Sequence, residues 1–222
     1  MYKADISYYT SYIERDAIHQ IDQSIRVKAI TAYVYEEFLK NINKDFARRE
    51  GLLFVGGFAH PPNADAVLWF AREIYPRIRE KAEIPFYIVG SRVTDEIRAL
   101  QEPGNGITVY GFVSDEELAR LYASSRLVVV PLRYGAGVKG KVIEALYNGS
   151  PIVTTSIGAE GIPFAGEVLA VADEPQEFAD RVLQMYEDTE GLAGICDKTQ
   201  EYIRNYFSVD AAWSVIREDF TR

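Results

Sequence analysis

The segment LVVVPLRYGAGVKGKVIEALYNGSPIVTT, residues 127–155, decides the fold because it holds two apolar strands joined by a loop and a helix. Leu127–Val130 is apolar on both faces, as expected of a strand in a parallel sheet between two helical layers. A glycine-rich loop leads to a predicted helix over about residues 138–148, which Gly149 ends. The next strand is predicted at residues 151–154. This order of elements is typical of a βαβ unit.

The same alternation of strands and helices extends over residues 51–206. Further buried strands are predicted at residues 52–55, 86–89, 107–110 and 168–172. Helices are predicted at about residues 63–81, at residues 93–100, and from Ser114, where Glu117 completes a capping box. Two or three helices follow the last strand. We therefore predict an α/β fold with a doubly wound parallel sheet, a Rossmann-like three-layer α/β/α domain.

Composition excludes several classes of protein. The 222 residues suffice for one domain, or for one domain and a fragment. The net charge of −9 argues against a nucleic-acid-binding surface. Two histidines and one cysteine show no zinc-ligand spacing and allow no internal disulfide. No apolar run reaches the ~18 residues of a membrane span, and the polar N-terminal sequence lacks the apolar core of a signal peptide. A cytoplasmic protein is expected.

The loop after the strand at Leu127–Val130 contains the residues best suited to bind a ligand. In a doubly wound sheet, ligands bind beyond the carboxyl ends of the strands. The glycines of this loop allow close approach of the backbone, and the helix that follows presents free amides to an anion such as phosphate. Lys139 and Lys141 add positive charge, and Glu144 lies where a carboxylate could accept two hydrogen bonds from a ribose diol. The alternative is a flexible loop with solvated lysines.

The spacing Gly135-x-Gly137-x-x-Gly140 also matches the dinucleotide-binding fingerprint. That fingerprint belongs at the first strand-to-helix turn of its unit, whereas this loop follows the fourth predicted strand and contains basic residues. The acidic partner about 20 residues further on would be Glu160, which lies in a predicted turn. A dinucleotide-binding oxidoreductase is therefore the less favoured alternative.

From this loop outward, residues 50–210 resemble the C-terminal, donor-binding domain of the retaining glycosyltransferases of family 4, which have the two-domain GT-B fold. The resemblance rests on LFVGG at residues 53–57, VYGFV at residues 109–113, and residues 135–151 with their EAL and NGSP sequences. It implies transfer of a hexosyl group from a nucleotide-diphosphate sugar, usually a UDP or GDP sugar. It also implies that no metal or other cofactor is needed, and that the acceptor and several catalytic groups lie on the N-terminal domain.

The resemblance assigns roles to individual residues. Amides around Gly137 and Val138, with Gly135 and the ammonium groups of Lys139 and Lys141, would face the diphosphate and stabilise the leaving group. Glu144 matches the second glutamate of the family's Glu-(seven residues)-Glu motif, which holds the ribose. The remaining candidates are Phe112 and Val113, which would border the base, Arg133, which either supports the diphosphate or pairs on the surface, and Glu160, which either reaches a sugar hydroxyl or belongs to a plain turn.

Two positions depart from the family pattern. Ala136 stands where the first glutamate of that motif normally contacts the donor sugar, and Gly57 stands where an arginine is common in the donor site. A subgroup of the family has a Gly-x-Gly-x-x-x-Lys pattern like that of residues 135–141. A non-catalytic nucleotide-sugar-binding module of a larger assembly is the alternative to an active transferase.

The first fifty residues differ from the rest. Residues 6–9 and 26–30 are possible strands around a helix over about residues 11–21, and residues 33–38 resemble a connector. They could form an extra layer on the main sheet or the end of another domain. The resemblance favours the second: residues 1–50 as a remnant of the N-terminal acceptor domain with the hinge, and residues 51–222 as the donor-binding domain. The expected partners are the donor, an unknown acceptor and the missing N-terminal domain.

Overall fold

The structure, a computed structural model, describes residues 4–220, and it begins with a small unit of two strands and one helix. Strands β1 (Ser7–Tyr9) and β2 (Val27–Ala29) flank helix α1 (Tyr12–Ile21), as predicted. The two strands pair in parallel and form a sheet separate from the main one. The strands of this unit are therefore not part of the main sheet.

The main sheet has six parallel strands in the order β5-β4-β3-β6-β7-β8. They are β3 (Leu52–Val55), β4 (Phe86–Val89), β5 (Ile107–Gly111), β6 (Leu127–Val130), β7 (Ile152–Thr154) and β8 (Leu169–Val171). From β3 the chain adds strands toward one edge, and from β6 toward the other. The topological switch point therefore lies between β3 and β6, and the predicted doubly wound sheet is confirmed.

The helices cover the faces of this sheet and follow its strands. They are α2 (Pro61–Trp69), α3 (Tyr75–Arg79), α4 (Asp95–Arg98), α5 (Asp115–Ser124), α6 (Gly140–Tyr147), α7 (Ser156–Ala159), α8 (Pro175–Glu187), α9 (Thr189–Tyr206) and α10 (Val209–Phe220). Within residues 4–220, none of them is long and apolar enough to cross a membrane.

Two helical predictions need correction. The single helix predicted over residues 63–81 begins at Pro61 and is interrupted by a π-helical turn, Phe70–Ile74. Pro76 has no N–H to donate to the preceding turn and its ring crowds that turn, so the helix widens, and the amide of Tyr75 donates to Phe70 O. The capping box predicted at Ser114 forms in one direction: Ser114 Oγ accepts from the amide of Glu117, but the carboxylate of Glu117 pairs with Arg120.

The core lies on both faces of the main sheet. All four residues of β6 are buried, and Leu52, Leu53 and Phe54 of β3 are fully buried. Central parallel strands covered by helices on both sides lose the alternation of apolar and polar residues, which explains the continuous apolar runs of the sequence.

The chain crosses twice between the small unit and the main sheet, and the two crossings lie side by side. The amide of Tyr35 donates to Phe207 O at 2.8 Å, and the amide of Val209 donates to Tyr35 O at 3.3 Å. Helix α10 then packs on the small unit, where Asp219 accepts hydrogen bonds from Tyr8 at 2.7 Å and Lys28 at 2.6 Å. The two ends of the described chain thus belong to one structural unit.

Candidate functional site

A cavity of about 230 Å³ opens at the switch point, where the loops after β3 and β6 meet. Asn63 and His60 line it from the first loop and the start of α2, and residues 134–136 and 138–141 line it from the second. Tyr33 closes it from the connector. The cavity therefore lies at the place where α/β sheets of this topology bind their ligands.

Lys141 places a buried ammonium group in this cavity. Its Nζ donates a hydrogen bond to Asn63 Oδ1 and lies 4.9 Å from the centre of the Phe54 ring. Asn63 is held in turn because its Nδ2 donates to Gly57 O at 2.7 Å. Burial and, to a smaller extent, the charge of Lys139 lower the pKa of Lys141 to about 8. An anion bound here would relieve the cost of that buried charge.

The backbone of the loop is shaped for close approach to a ligand. Gly135 and Gly137 have φ values of 126° and 78°, in the region that favours glycine. Added Cβ atoms would meet no atom within 4 Å at Gly137, so that residue is needed for its conformation and not for lack of space. The loop ends at the N-terminus of α6, whose first amides have no acceptor within the helix and favour an anion.

Lys139 and Glu160 form an ion pair. Lys139 Nζ lies 3.0 Å from Glu160 Oε2 and also donates to Gly137 O, and the lysine is only 9% exposed. Glu160 follows α7, so the pair connects the loops after β6 and β7. Much of the positive charge of Lys139 is thereby neutralised within the protein.

Glu144 lies one turn into α6 in a half-buried position. Burial is the main cause of its raised pKa, the charge of Asp115 adds to it, and the Tyr122 hydroxyl acts in the opposite direction. The Tyr122 side chain is 1% exposed, and its hydroxyl has no hydrogen-bond partner in the described part of the chain. Tyr35 also faces Glu144, and burial raises the pKa of Tyr35 to about 12.

The structure brings only part of the predicted set around the cavity. The residues of that set that line it are Gly135, Val138, Lys139 and Lys141, with Gly137 between them in the loop. Arg133 instead binds the Asp65 carboxylate with two nitrogens, Nε lying 2.9 Å from Oδ2, and its guanidinium lies over the Trp69 ring. Phe112 is 81% exposed at the end of β5, two strands from β3, and Val113 is half-buried beside it. Gly57, Glu144 and Glu160 flank the cavity without lining it.

Sequence reasoning missed three residues of this region: Asn63, Tyr33 and Tyr122. Asn63 could have been found, since it follows a strand at the carboxyl edge and its amide is one of few polar side chains there. Tyr33 and Tyr122 reach the site from the connector and from α5, and no sequence spacing relates them to α6. Within residues 4–220 no group of three or more His, Cys, Asp or Glu side chains is placed to hold a metal ion.

A second cavity of about 230 Å³ lies between the small unit and the main domain. Ser11 and Thr31, which follow β1 and β2, line one side of it, and Val138 and Gly161 line the other. Val138 is common to both cavities. The carboxyl ends of the strands of the small unit therefore face the loops that build the switch-point cavity.

Known proteins with the same fold include glycosyltransferases with bound nucleotide. The structure of S. aureus TarM in complex with UDP has a TM-score of 0.77 and 17% identity, over 100% of this chain and 45% of that chain. That of Anabaena HepE in complex with UDP-glucose has a TM-score of 0.70 and 18% identity, over 99% of this chain and 64% of that chain. At this level of identity the likeness establishes the fold, and the predicted Rossmann-like architecture is confirmed.

Sequence comparison defines the family. A Klebsiella pneumoniae protein, "Uncharacterized 44.6 kDa protein in cps region", is 30% identical over 176 residues, which are 76% of this chain and 45% of that protein. The chain thus spans about half the length of this relative. The family model "Glycosyl transferases group 1" matches residues 49–188, which include the main sheet and the switch-point loops. The chain belongs to the group 1 glycosyl transferases.

Proposed function

We propose that this chain binds the nucleotide-diphosphate sugar donor of a glycosyltransferase at the switch-point cavity. The observation that carries the proposal is the desolvated ammonium of Lys141, held by Asn63 at the N-terminus of α6 and open to the cavity. The bound UDP of TarM and UDP-glucose of HepE, two structures of the same fold, support a nucleotide of this class.

The arrangement suits a diphosphate. A helix N-terminus contributes about 0.3–1 kcal/mol to anion binding, and up to ~2 kcal/mol where it is partly buried. A charge-assisted hydrogen bond from Lys141 adds about 1.5–3 kcal/mol. Glu144 would accept hydrogen bonds from the ribose, and Phe112 and Val113 would border the base. Together these contacts are enough for micromolar affinity, about −8 kcal/mol, once the apolar contacts of the base are included.

The reaction is transfer of the sugar. The bond between the anomeric carbon and the β-phosphate oxygen breaks, its electron pair remains on that oxygen, and an acceptor hydroxyl oxygen bonds to the carbon and gives up its proton. Lys141 and the amides of α6 would stabilise the negative charge that develops on the diphosphate. We include in this proposal membership of family 4, retention of configuration at the anomeric carbon and catalysis without a metal ion.

The acceptor is proposed to bind on the same side of the switch-point cavity as the small unit. Residues 1–50 are proposed to be the last part of an N-terminal acceptor domain with its hinge, and residues 51–222 to be the donor domain. Support comes from the second cavity, which shares Val138 with the first, and from the share of the K. pneumoniae relative that this chain spans, 45%.

One observation favours a second candidate, a nucleotide-sugar-binding module without turnover. Ala136 lines the switch-point cavity at the position of the family's acidic residue, so no carboxylate is supplied there. Release of nucleoside diphosphate in the presence of sugar acceptors, measured on the full-length assembly, separates the two candidates because both would bind the donor.

Calorimetric titration with UDP, GDP and NAD, first without metal and then with magnesium, tests the proposal. Binding of one nucleoside diphosphate without metal is expected, and its identity names the base. Binding of NAD alone would instead indicate the dinucleotide-binding oxidoreductase. Binding of none of the three by the folded chain would contradict the proposal.

A further inference from the structure

Tyr122 is buried close to Glu144, the candidate ribose-binding carboxylate. Its side chain is 1% exposed on α5, and its hydroxyl has no hydrogen-bond partner among residues 4–220. Buried polar groups in native proteins are nearly always hydrogen-bonded, so an orphaned hydroxyl of this kind calls for an explanation.

The surroundings of that hydroxyl indicate its role. It faces the carboxylate of Glu144, which is half-buried one turn into α6. Tyr35 of the connector also lies close enough to interact electrostatically with Glu144, and its ring stacks on Tyr147 with 4.0 Å between centroids and 11° between planes. Tyr147 is one turn of α6 beyond Glu144, so the stacking holds the Tyr35 ring against the same helix. The carboxylate therefore has two tyrosine side chains near it.

A single hydrogen bond from a tyrosine hydroxyl can orient a carboxylate that lies beside it. An ionised carboxylate has about four acceptor positions and no donor, and a tyrosine hydroxyl can donate one hydrogen bond. The oxygen that does not face Tyr122 would then be presented to a ligand in a fixed direction.

We propose that Tyr122 is a positioning residue of the nucleotide site, which donates to Glu144 when a ribonucleotide binds and aims that carboxylate at the ribose 2′- and 3′-hydroxyls. The inference rests on the proposed function and extends it. It predicts that Tyr122 contributes to preference for ribonucleotides over 2′-deoxyribonucleotides without touching the nucleotide itself.

The test uses the 222-residue chain and the substitution Tyr122→Phe, which removes only the orphaned hydroxyl. Affinities are measured by calorimetry for UDP and 2′-deoxy-UDP, or for the guanine pair if GDP is the nucleotide that binds. The affinity for the ribonucleotide should fall roughly tenfold, as for other residues that orient a ligand-binding group. The affinity for the deoxyribonucleotide, which keeps only the 3′-hydroxyl as a donor to Glu144, should fall by a smaller factor, and the unfolding midpoint should not fall.

Two further variants sharpen the result. Tyr87→Phe removes a half-buried hydroxyl on β4 and should leave both affinities unchanged. Glu144→Gln should itself weaken ribonucleotide binding, and adding Tyr122→Phe to it should have no further effect because the two residues act as one unit.

The outcomes are distinguishable. Unchanged ribonucleotide affinity in Tyr122→Phe, or an equal loss for both nucleotides, would overturn the inference while leaving the proposed function intact. If the wild-type chain binds neither nucleotide, the proposed function fails, and the inference fails with it. A loss of affinity that is larger for the ribonucleotide than for the deoxyribonucleotide supports both.

Discussion

The Lys139 ammonium lies 3.0 Å from the Glu160 carboxylate, so the two lysines of the switch-point loop are in different electrostatic states. Lys139 is neutralised by an internal partner that follows another strand. The ammonium of Lys141 donates to the neutral Asn63 side chain and lies near the Phe54 ring, and within residues 4–220 it forms no ion pair. Lys141 therefore supplies most of the uncompensated positive charge available to an anionic ligand.

Removing the negative charge of Glu160 should strengthen nucleotide binding. In Glu160→Gln, Lys139 loses its counter-charge and its ammonium becomes available to the diphosphate. We expect the dissociation constant for UDP or GDP to fall by about 3–10-fold, equivalent to roughly 1 kcal/mol, as measured by calorimetric titration. The control is Glu187→Gln, which changes an exposed residue at the far end of α8. Weaker binding would instead place Glu160 on the donor sugar.

Replacing Lys141 should lower nucleotide affinity and raise the free energy of unfolding. Lys141→Met keeps the length of the side chain but removes the buried charge, so nucleotide affinity should fall at least tenfold. The free energy of unfolding at pH 7 should rise by up to about 3 kcal/mol, since lowering the pKa from 10.5 to about 8 costs the folded state roughly that amount. Urea unfolding and calorimetry on the same variant measure both quantities.

Lys81→Met is the matched control for Lys141→Met. Lys81 is exposed just after α3, near the amino end of β4, and pairs with Asp180 at 2.9 Å. Its replacement should leave binding unchanged and alter stability by no more than ~0.5 kcal/mol. A loss of affinity in this variant equal to that in Lys141→Met would mean that net charge, not the site, controls binding.

The lowered pKa of Lys141 also predicts the pH dependence of binding. A diphosphate stabilises the charged ammonium, so the pKa of Lys141 in the complex is higher than its value of about 8 in the free protein. Affinity should therefore be constant below pH 8 and fall, by up to about tenfold per pH unit, as the pH rises above 8. The phosphate groups of the ligand, with a second pKa near ~6, are already ionised in this range.

Lys141→Arg identifies the group responsible for this dependence. A guanidinium stays protonated throughout the range, so titrations at pH 7, 8 and 9 should give one affinity for this variant. The same decline as in the wild-type chain would assign the effect to another residue.

A contact between the connector and α6 predicts a change of sign in a double-mutant cycle. A Cβ added to Gly140 would lie 2.8 Å from the Tyr33 hydroxyl and 2.9 Å from its ring. Gly140→Ala should therefore lower the free energy of unfolding by about 1–2 kcal/mol, a typical cost of overpacking. In the Tyr33→Ala background there is no clash. Gly140→Ala should then raise the free energy of unfolding by ~0.5–1 kcal/mol, because alanine has a higher helix propensity than glycine. Urea unfolding of the four proteins gives both values, and equal effects in the two backgrounds would mean that Tyr33 does not contact α6.

Sequence patterns predicted the fold because its signals are local. Each strand of the main sheet is a short apolar run ended by glycine or a polar turn, and those runs correspond to the observed strands within one or two residues. The π-helical turn was missed because the apolar spacing over residues 63–81 suits a continuous helix. The effect of Pro76 on one turn is a matter of backbone geometry that side-chain periodicity does not report.

The position of the cavity could be predicted from the sequence, but the pairing of its side chains could not. The loop after β6 was identified from its glycines and lysines, and it does line the cavity. The pairings of Lys139 with Glu160 and of Arg133 with Asp65 join residues 21 and 68 positions apart in the chain. Such contacts follow from the order of strands in the sheet and from loop geometry, which no spacing in the sequence encodes.

The paired crossings at Tyr35 and Val209 have a mechanical consequence. Two separate connections would allow the small unit to twist or slide relative to the main domain. Two connecting segments that are hydrogen-bonded to each other instead form a single hinge axis. Asp219 fixes the small unit and α10 to each other. We therefore expect them to rotate together about that axis, as a rigid-body hinge motion. Such a rotation would change the width of the second cavity, because one of its walls belongs to the small unit and the other to the main domain.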